Sequence, residues 1–231
     1  ECTMEANPES LTPAMVRDIW ALGVNRLSIG VQSFDDNVLA TLGRAHNAEG
    51  AKRAVAAAHE RFDNVSVDLM CGIPGQTTAS LEHSVQTAIE QGVTHMSIYP
   101  LTIEPHTPFD AMVFSGQMEE PDDDVEAEHM QVAARLLQAA GYQRYEVASY
   151  AKPGYACKHN IAYWTGVPYL GIGKSAASMT QNDQRRMRVQ DGQVTDDLNR
   201  AEMFAEDLML GMRMSRGVSD ELVTQAESQL P

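Results

Sequence analysis

The sequence predicts an α/β fold: a parallel sheet with crossover helices, forming a whole or partial (β/α) TIM-like barrel. Three observations carry this. Short β-branched runs alternate with longer amphipathic stretches over the first hundred residues. The strand–helix units are roughly 25 to 40 residues long, as expected for right-handed βαβ crossovers. The joints also repeat: ALGVNRLSIGV and EQGVTHMSIYP each run helix, glycine, strand. Serial repetition favours a barrel over the alternative, a doubly wound open sheet.

The elements follow in order. CTMEA (2–6) is the first strand. PAMVRDIWALG is a helix, announced by Ser10 and Thr12 ahead of Pro13 and stopped at Gly23. RLSIGV (26–31) is the second strand and AEGAKRAVAAAHERF the next helix. VSVDLM (65–70) is the third strand, TASLEHSVQTAIEQG a helix stopped at Gly92, and HMSIYPL (95–101) the fourth strand. EPHTPFDAMVFSGQ reads as a loop. DVEAEHMQVAARLLQAAG (124–141) is a long helix ending at Gly141. RYEVASYA (144–151) is a further strand, and GYACKHNIAYWTG (154–166) a loop after it. YLGIGKSAASM (169–179) is a strand ending in a Gly/Ser turn. NRAEMFAEDLMLGMRM (199–214) is a helix whose methionines fill core space. The expected organisation is a barrel with its following strands over 1–180, then a linker and the start of a C-terminal helical, winged-helix-like domain over 181–231. The chain opens on ECTMEANPES without Met and reads as cut in mid-domain, so the first barrel strands are expected outside it.

Composition narrows the function. The chain has 17 Lys+Arg against 32 Asp+Glu, a net charge of −15. That argues against nucleic acid, whose binding rests on clustered cations. The run MEEPDDDVEAEH (118–129) is a solvated lead into a helix. No apolar run approaches the ~20 residues of a membrane span. Nothing resembles a secretory leader, and three scattered cysteines (Cys2, Cys71, Cys157) suggest a reducing, cytoplasmic setting.

Ligands of parallel α/β folds bind at the carboxyl ends of the strands. Polar residues collect there: Glu5 and Asn7; Gln32, Ser33 and Asp35; Asp68; then Tyr99, Thr102 and Glu104. Any one of these can be a strand-end cap. The set reads as a binding rim for a ligand with an amine, hydroxyls or ring nitrogens. Arg44 follows the second strand and suits a carboxylate partner, with a surface ion pair as the competing role. GIPGQT (72–77) lacks the Gly-Lys-Ser/Thr of a phosphate loop, and GIGKSAAS (171–178) has the wrong spacing for one. Cys157 and His159 supply two of the four ligands of a closed zinc site, and no HExxH or CxxC is present, so no metal site is expected in this chain.

MEANP, GVNRLSIGVQSFDDNVLATLGRAH, VDLMCGIPGQT and HMSIYPLTIEPHTPF, in that order, resemble the radical S-adenosylmethionine (SAM) barrel of oxygen-independent coproporphyrinogen III oxidases and their haem-chaperone relatives. YEVASYAKPGYACKHNIAYW, YLGIGKSAAS and AEDLMLGMRMSRGV continue the likeness over nearly the whole chain. The resemblance implies a SAM-binding partial barrel with a [4Fe-4S] cluster in the full-length protein. By motif position it implies SAM contacts at Glu5, Gln32, Arg44, Asp68 and Thr102. The family's cluster-binding CxxxCxxC loop precedes MEANP and is not in this sequence, so the chain alone is expected to be inactive in radical chemistry.

Two functions fit the resemblance. One is a haem chaperone on the same barrel. The other is a coproporphyrinogen III dehydrogenase that uses SAM to convert propionates oxidatively to vinyl groups, with an electron donor such as flavodoxin or ferredoxin. CKHNIAYW is similar to the chaperone branch, whereas GIGKSAASM leans towards the oxidases; the longer motif carries more weight. His159, Asn160, Tyr163 and Trp164 are therefore the candidates to face haem or substrate. His159 is an axial-ligand candidate, with loop capping as its plainer role.

Overall fold

The computed structural model describes residues 1–228. The chain divides into two compact units. The first comprises residues 1–144 and 148–156, the second residues 145–147 and 157 onwards.

The first unit runs β1 (Thr3–Ala6), a 3-10 turn (Pro8–Ser10), α1 (Pro13–Ala21), β2 (Arg26–Gln32), α2 (Asp36–Thr41), α3 (Ala48–His59), β3 (Val65–Cys71), α4 (Thr78–Glu90), β4 (His95–Pro100), α5 (Pro108–Phe114), α6 (Asp123–Ala139), β5 (Gln143–Arg144) and β6 (Ser149–Ala151). The strand order is β1-β2-β3-β4-β6-β5. β1 to β4 are parallel neighbours, while β6 runs antiparallel to β4 and β5 antiparallel to β6. The expected parallel α/β sheet is present. The helix starts follow from their caps: Thr12 accepts from the Met15 amide with Pro13 in the first turn, and Asn47 accepts from Gly50. Gly23, Gly92 and Gly141 take positive φ at the ends of α1, α4 and α6, as their positions in the sequence predict.

The strands alternate, and the alternation separates two environments. Leu27, Ile29, Val31, Val65, Val67, Leu69, Met96 and Ile98 are fully buried against Val16 and Ile19 of α1, Val55 of α3, Leu81 and Val85 of α4, and Leu137 of α6. The intervening positions form the opposite face: Arg26, Ser28 and Gly30 on β2, Ser66 and Asp68 on β3, His95 and Ser97 on β4. Parallel strands buried among helices on both faces are usually apolar throughout. A polar inner face is the pattern of a barrel interior that receives a polar ligand.

The second unit holds α7 (Lys158–Trp164), a three-stranded antiparallel sheet of β7 (Ala177–Asn182), β8 (Arg185–Gln190) and β9 (Gln193–Asn199), then α8 (Arg200–Met212) and α9 (Asp220–Glu227). Arg186, buried to 2% exposure, is bound by Gln181, Glu206 and Asp207. A buried guanidinium requires such partners because an unpaired buried charge is strongly unfavourable.

Several local expectations are corrected. RYEVASYA is two short strands separated by a turn, because only Gln143–Arg144 and Ser149–Ala151 find ladder partners. The stretch 108–114 inside the expected loop is helical, capped by Thr107 with Pro108 in the first turn. YLGIGKSAASM is not one strand: Tyr169 forms an isolated bridge with Met179, and the regular strand begins at Ala177. Residues 177–199, read largely as linker, form the hairpin sheet. KHNIAYW forms α7, with Cys157 at its N-cap, and is not a loop.

Candidate functional site

The carboxyl edge of β1 to β3 gathers polar groups from three chain segments. The β2–β3 register shifts between Ile29 and Gln32, and Gln32 has φ 66°, a left-handed conformation uncommon for a non-glycine residue. A Cβ added at Gly30 would lie 3.0 Å from Gln32 Nε2 and 3.3 Å from Asn7 Oδ1. The absent side chain of Gly30 is therefore what lets these two amides approach the strand. Arg44, three residues beyond α2, reaches the same place: its Nη2 donates to Asn7 Oδ1 at 2.7 Å and to the Gly30 carbonyl at 3.3 Å. Its Nε is buried without a partner among the described residues.

Asp68 lies deeper on the polar face. Ser28 Oγ donates to its two carboxylate oxygens at 3.3 and 3.2 Å, and Ser97 also bonds it. Ser149 Oγ lies 3.5 Å from Ser97 Oγ, extending the hydroxyl chain. Burial pushes the Asp68 carboxyl up to about 6, against the pull of Ser97 and Ser28; the charge of Glu5 adds to the rise and Arg26 opposes it. At neutral pH Asp68 is an ionised acceptor already supported by hydroxyls on its protein side. Asp68 is half-buried, so its carboxylate keeps an open side with room for further hydrogen bonds.

Sequence reasoning named Asp68 but missed the floor beneath it. Arg26 and His95 are buried, and Ser66 Oγ lies 2.7 Å from His95 Nδ1. Burial, with the Arg26 charge, pulls the His95 imidazole down to about 3, so it is neutral. The period-two alternation of RLSIG, VSVD and HMS was the signal available for these positions.

The other expected rim residues are placed as follows. Glu5 is exposed on the edge strand β1, in register with Ser28, and its charge reaches Asp68. Thr102 is exposed, two residues beyond β4. The structure thus brings Gln32 and Arg44 together with Asn7, and sets Asp68 and Glu5 on the adjacent inner face.

In the second unit, α7 places His159 and Tyr163 one turn apart, their rings edge-on with centroids 4.7 Å apart. Tyr163 lies 4.6 Å from the Tyr169 ring. Asn160 Nδ2 donates to Tyr145 Oη at 3.4 Å, and the Arg213 guanidinium sits 5.5 Å over the Trp164 ring. His159 and Tyr163 are exposed, and Cys157 is buried at the start of the helix. Cys71 is buried at the end of β3, where burial pushes its thiol up to about 12, and Cys2 is exposed. Among the described residues, no three His, Cys, Asp or Glu side chains converge as metal ligands. The three cysteines of this chain do not form the thiolate set that an iron–sulfur cluster requires.

The first unit is thus an α/β domain whose parallel strands carry a polar face and an edge lined by Arg, Asp and amides. Residues 1–88 match the model of the Radical SAM superfamily. More particularly, the chain is similar to the heme chaperone HemW of Bacillus subtilis, at 34% identity over 95% of this chain and 62% of that protein. It is 43% identical to the Escherichia coli heme chaperone HemW over 81% of this chain and 49% of that protein. The chain thus spans about half to three-fifths of these relatives. Among solved structures, the coproporphyrinogen III oxidase HemN of Escherichia coli, described as a radical SAM enzyme, matches with a TM-score of 0.74 at 20% identity. That match covers 98% of this chain and 58% of HemN, and establishes the fold alone. No helix among the described residues is long and apolar enough to cross a membrane.

Proposed function

We propose that these residues form the SAM-binding rim of a cytoplasmic haem chaperone. The observation that carries the reading is the convergence of Arg44, Asn7, Gln32 and Gly30 at one strand edge, beside an ionisable Asp68 supported by hydroxyls. The donor set fits an amino-acid nucleoside. Arg44 pairs with the ligand carboxylate, as a guanidinium does best. Asp68 accepts hydrogen bonds from sugar hydroxyls, and the Gln32 amide and Glu5 carboxylate hold further polar edges. Thr102 flanks the same rim. When bound with a [4Fe-4S] cluster, SAM supplies reductive radical chemistry; the chain's own residues bind and orient it.

The tetrapyrrole side of the function rests on the similarity to heme chaperones and on α7. There His159, Asn160, Tyr163 and Trp164 lie on one seven-residue helix. The exposed Tyr163 ring and the accessible His159 suit a flat, metal-centred ring. In this reading the barrel extends over 1–180, and residues from 181 lead to a helical domain. A small electron-transfer protein such as flavodoxin or ferredoxin is the donor to the cluster.

The test uses the full-length protein under anaerobic conditions. One arm supplies coproporphyrinogen III, SAM and reductant; the other titrates haem by absorbance. Haem binding without decarboxylated product is expected. Vinyl product without haem binding would overturn the chaperone in favour of the dehydrogenase.

A further inference from the structure

Behind the rim lies a second layer that holds its three segments together. His46 is 8% exposed, and its two ring nitrogens face two acceptors. Nε2 lies 3.0 Å from the Val31 carbonyl oxygen, and Nδ1 lies 3.0 Å from Glu9 Oε2. Burial pushes the Glu9 carboxyl up, but hydrogen bonds to its own backbone and to His46, with the charges of His46 and Arg44, hold it below the ordinary range, so it is a carboxylate. The His46 ring therefore joins a carboxylate on one side and a backbone carbonyl on the other.

The three groups joined by this ring are the immediate neighbours of the rim. Glu9 is two residues after Asn7, His46 two after Arg44, and Val31 precedes Gln32. The joined residues are far apart in sequence, so chain connectivity alone does not fix them. Val31 also sits within the β2–β3 register shift, beside the left-handed Gln32. A strained residue persists only where its surroundings over-determine it.

We infer that the Glu9–His46–Val31 bridge is a positioning device for the SAM rim, with His46 its central residue. It fixes the offset of the Arg44 loop and the Pro8–Ser10 turn against the end of β2. Arg44, Asn7 and Gln32 are thereby arranged before the ligand arrives. The inference rests on the SAM reading of the rim.

Glu9 is the place to test it, because its side chain is 39% exposed and its loss leaves the core intact. Calorimetry of the full-length protein with SAM is run for wild type, Glu9→Ala, Glu9→Gln and Asp68→Ala, with thermal melts and backbone amide spectra of the ligand-free proteins. Glu9→Ala is expected to bind SAM about tenfold more weakly at an unchanged melting temperature, with shifted Gly30 and Gln32 amides. Glu9→Gln still reaches Nδ1 and is expected to recover to within about twofold, a rescue that general destabilisation does not produce. Wild-type affinity in Glu9→Ala, with affinity lost in Asp68→Ala, overturns the positioning role and leaves the rim standing. Absence of SAM binding by the wild type overturns the rim reading and this inference with it.

Discussion

Asp68→Asn should stabilise the protein while removing a ligand contact, and the effect should depend on pH in a defined direction. Burial raises the folded-state carboxyl from 3.8 to about 6. A raised carboxyl favours the protonated folded form, so its contribution is fully present below the unfolded value near 4. It is lost as pH rises through about 6. A shift of roughly two pH units corresponds to about 3 kcal/mol, reduced towards about 1 kcal/mol where solvent reaches the open side of the carboxylate. Asparagine keeps the shape and still accepts from Ser28, but carries no charge to desolvate. Urea unfolding of both proteins at pH 4.5, 5.5, 6.5 and 7.5 measures the difference. The variant's advantage should grow by about 1–3 kcal/mol across this window and flatten above pH 7. A difference that stays constant with pH, or shrinks as pH rises, would refute the burial argument for Asp68.

Three further predictions follow from other sites. Gly72 has φ 69°, and a Cβ there collides with the Glu126 side chain, so Gly72→Ala should lower stability by about 2–4 kcal/mol in urea unfolding; a loss under 0.5 kcal/mol contradicts the crowding. Arg186→Ala removes the buried cation shared by Glu206 and Asp207, while Glu206 keeps Arg188, and should lower stability by about 2–3 kcal/mol. An Arg186→Met variant as stable as wild type, paired with a damaging Arg186→Ala, would instead assign the residue a packing role. Anaerobic reconstitution of these 231 residues should leave no stoichiometric iron or sulfide, since Cys2, Cys71 and Cys157 do not converge; a full cluster by metal and sulfide analysis contradicts this.

Much of the first unit was legible because its signals are local. Thr12 before Pro13, and glycines at 23, 92 and 141, fix helix ends through φ and a single capping bond. The strands were legible from β-branched runs. Their alternation held more information than the strand assignment used, because it marks Ser28, Ser66 and His95 as one polar face. The 177–199 sheet was missed because its strands are polar and mostly exposed, so no hydrophobic period marks them. The Asp191-Gly192 turn between β8 and β9 was its strongest local sign. Helix α7 was missed because seven residues with no buried member give no amphipathic pattern. At the rim, the residue types were readable, but the partners were not. Arg44 meets Asn7, and His46 meets Glu9, across 37 residues, a pairing that only the folded sheet creates.

The most direct test of the rim is its affinity for SAM. Isothermal titration of the anaerobic full-length protein, with Asp68→Ala and Arg44→Ala alongside, measures it. Each substitution should weaken binding at least tenfold, a loss of about 1.4 kcal/mol or more, while the protein remains folded. Unchanged affinity in both variants would contradict the assignment of this strand edge to SAM.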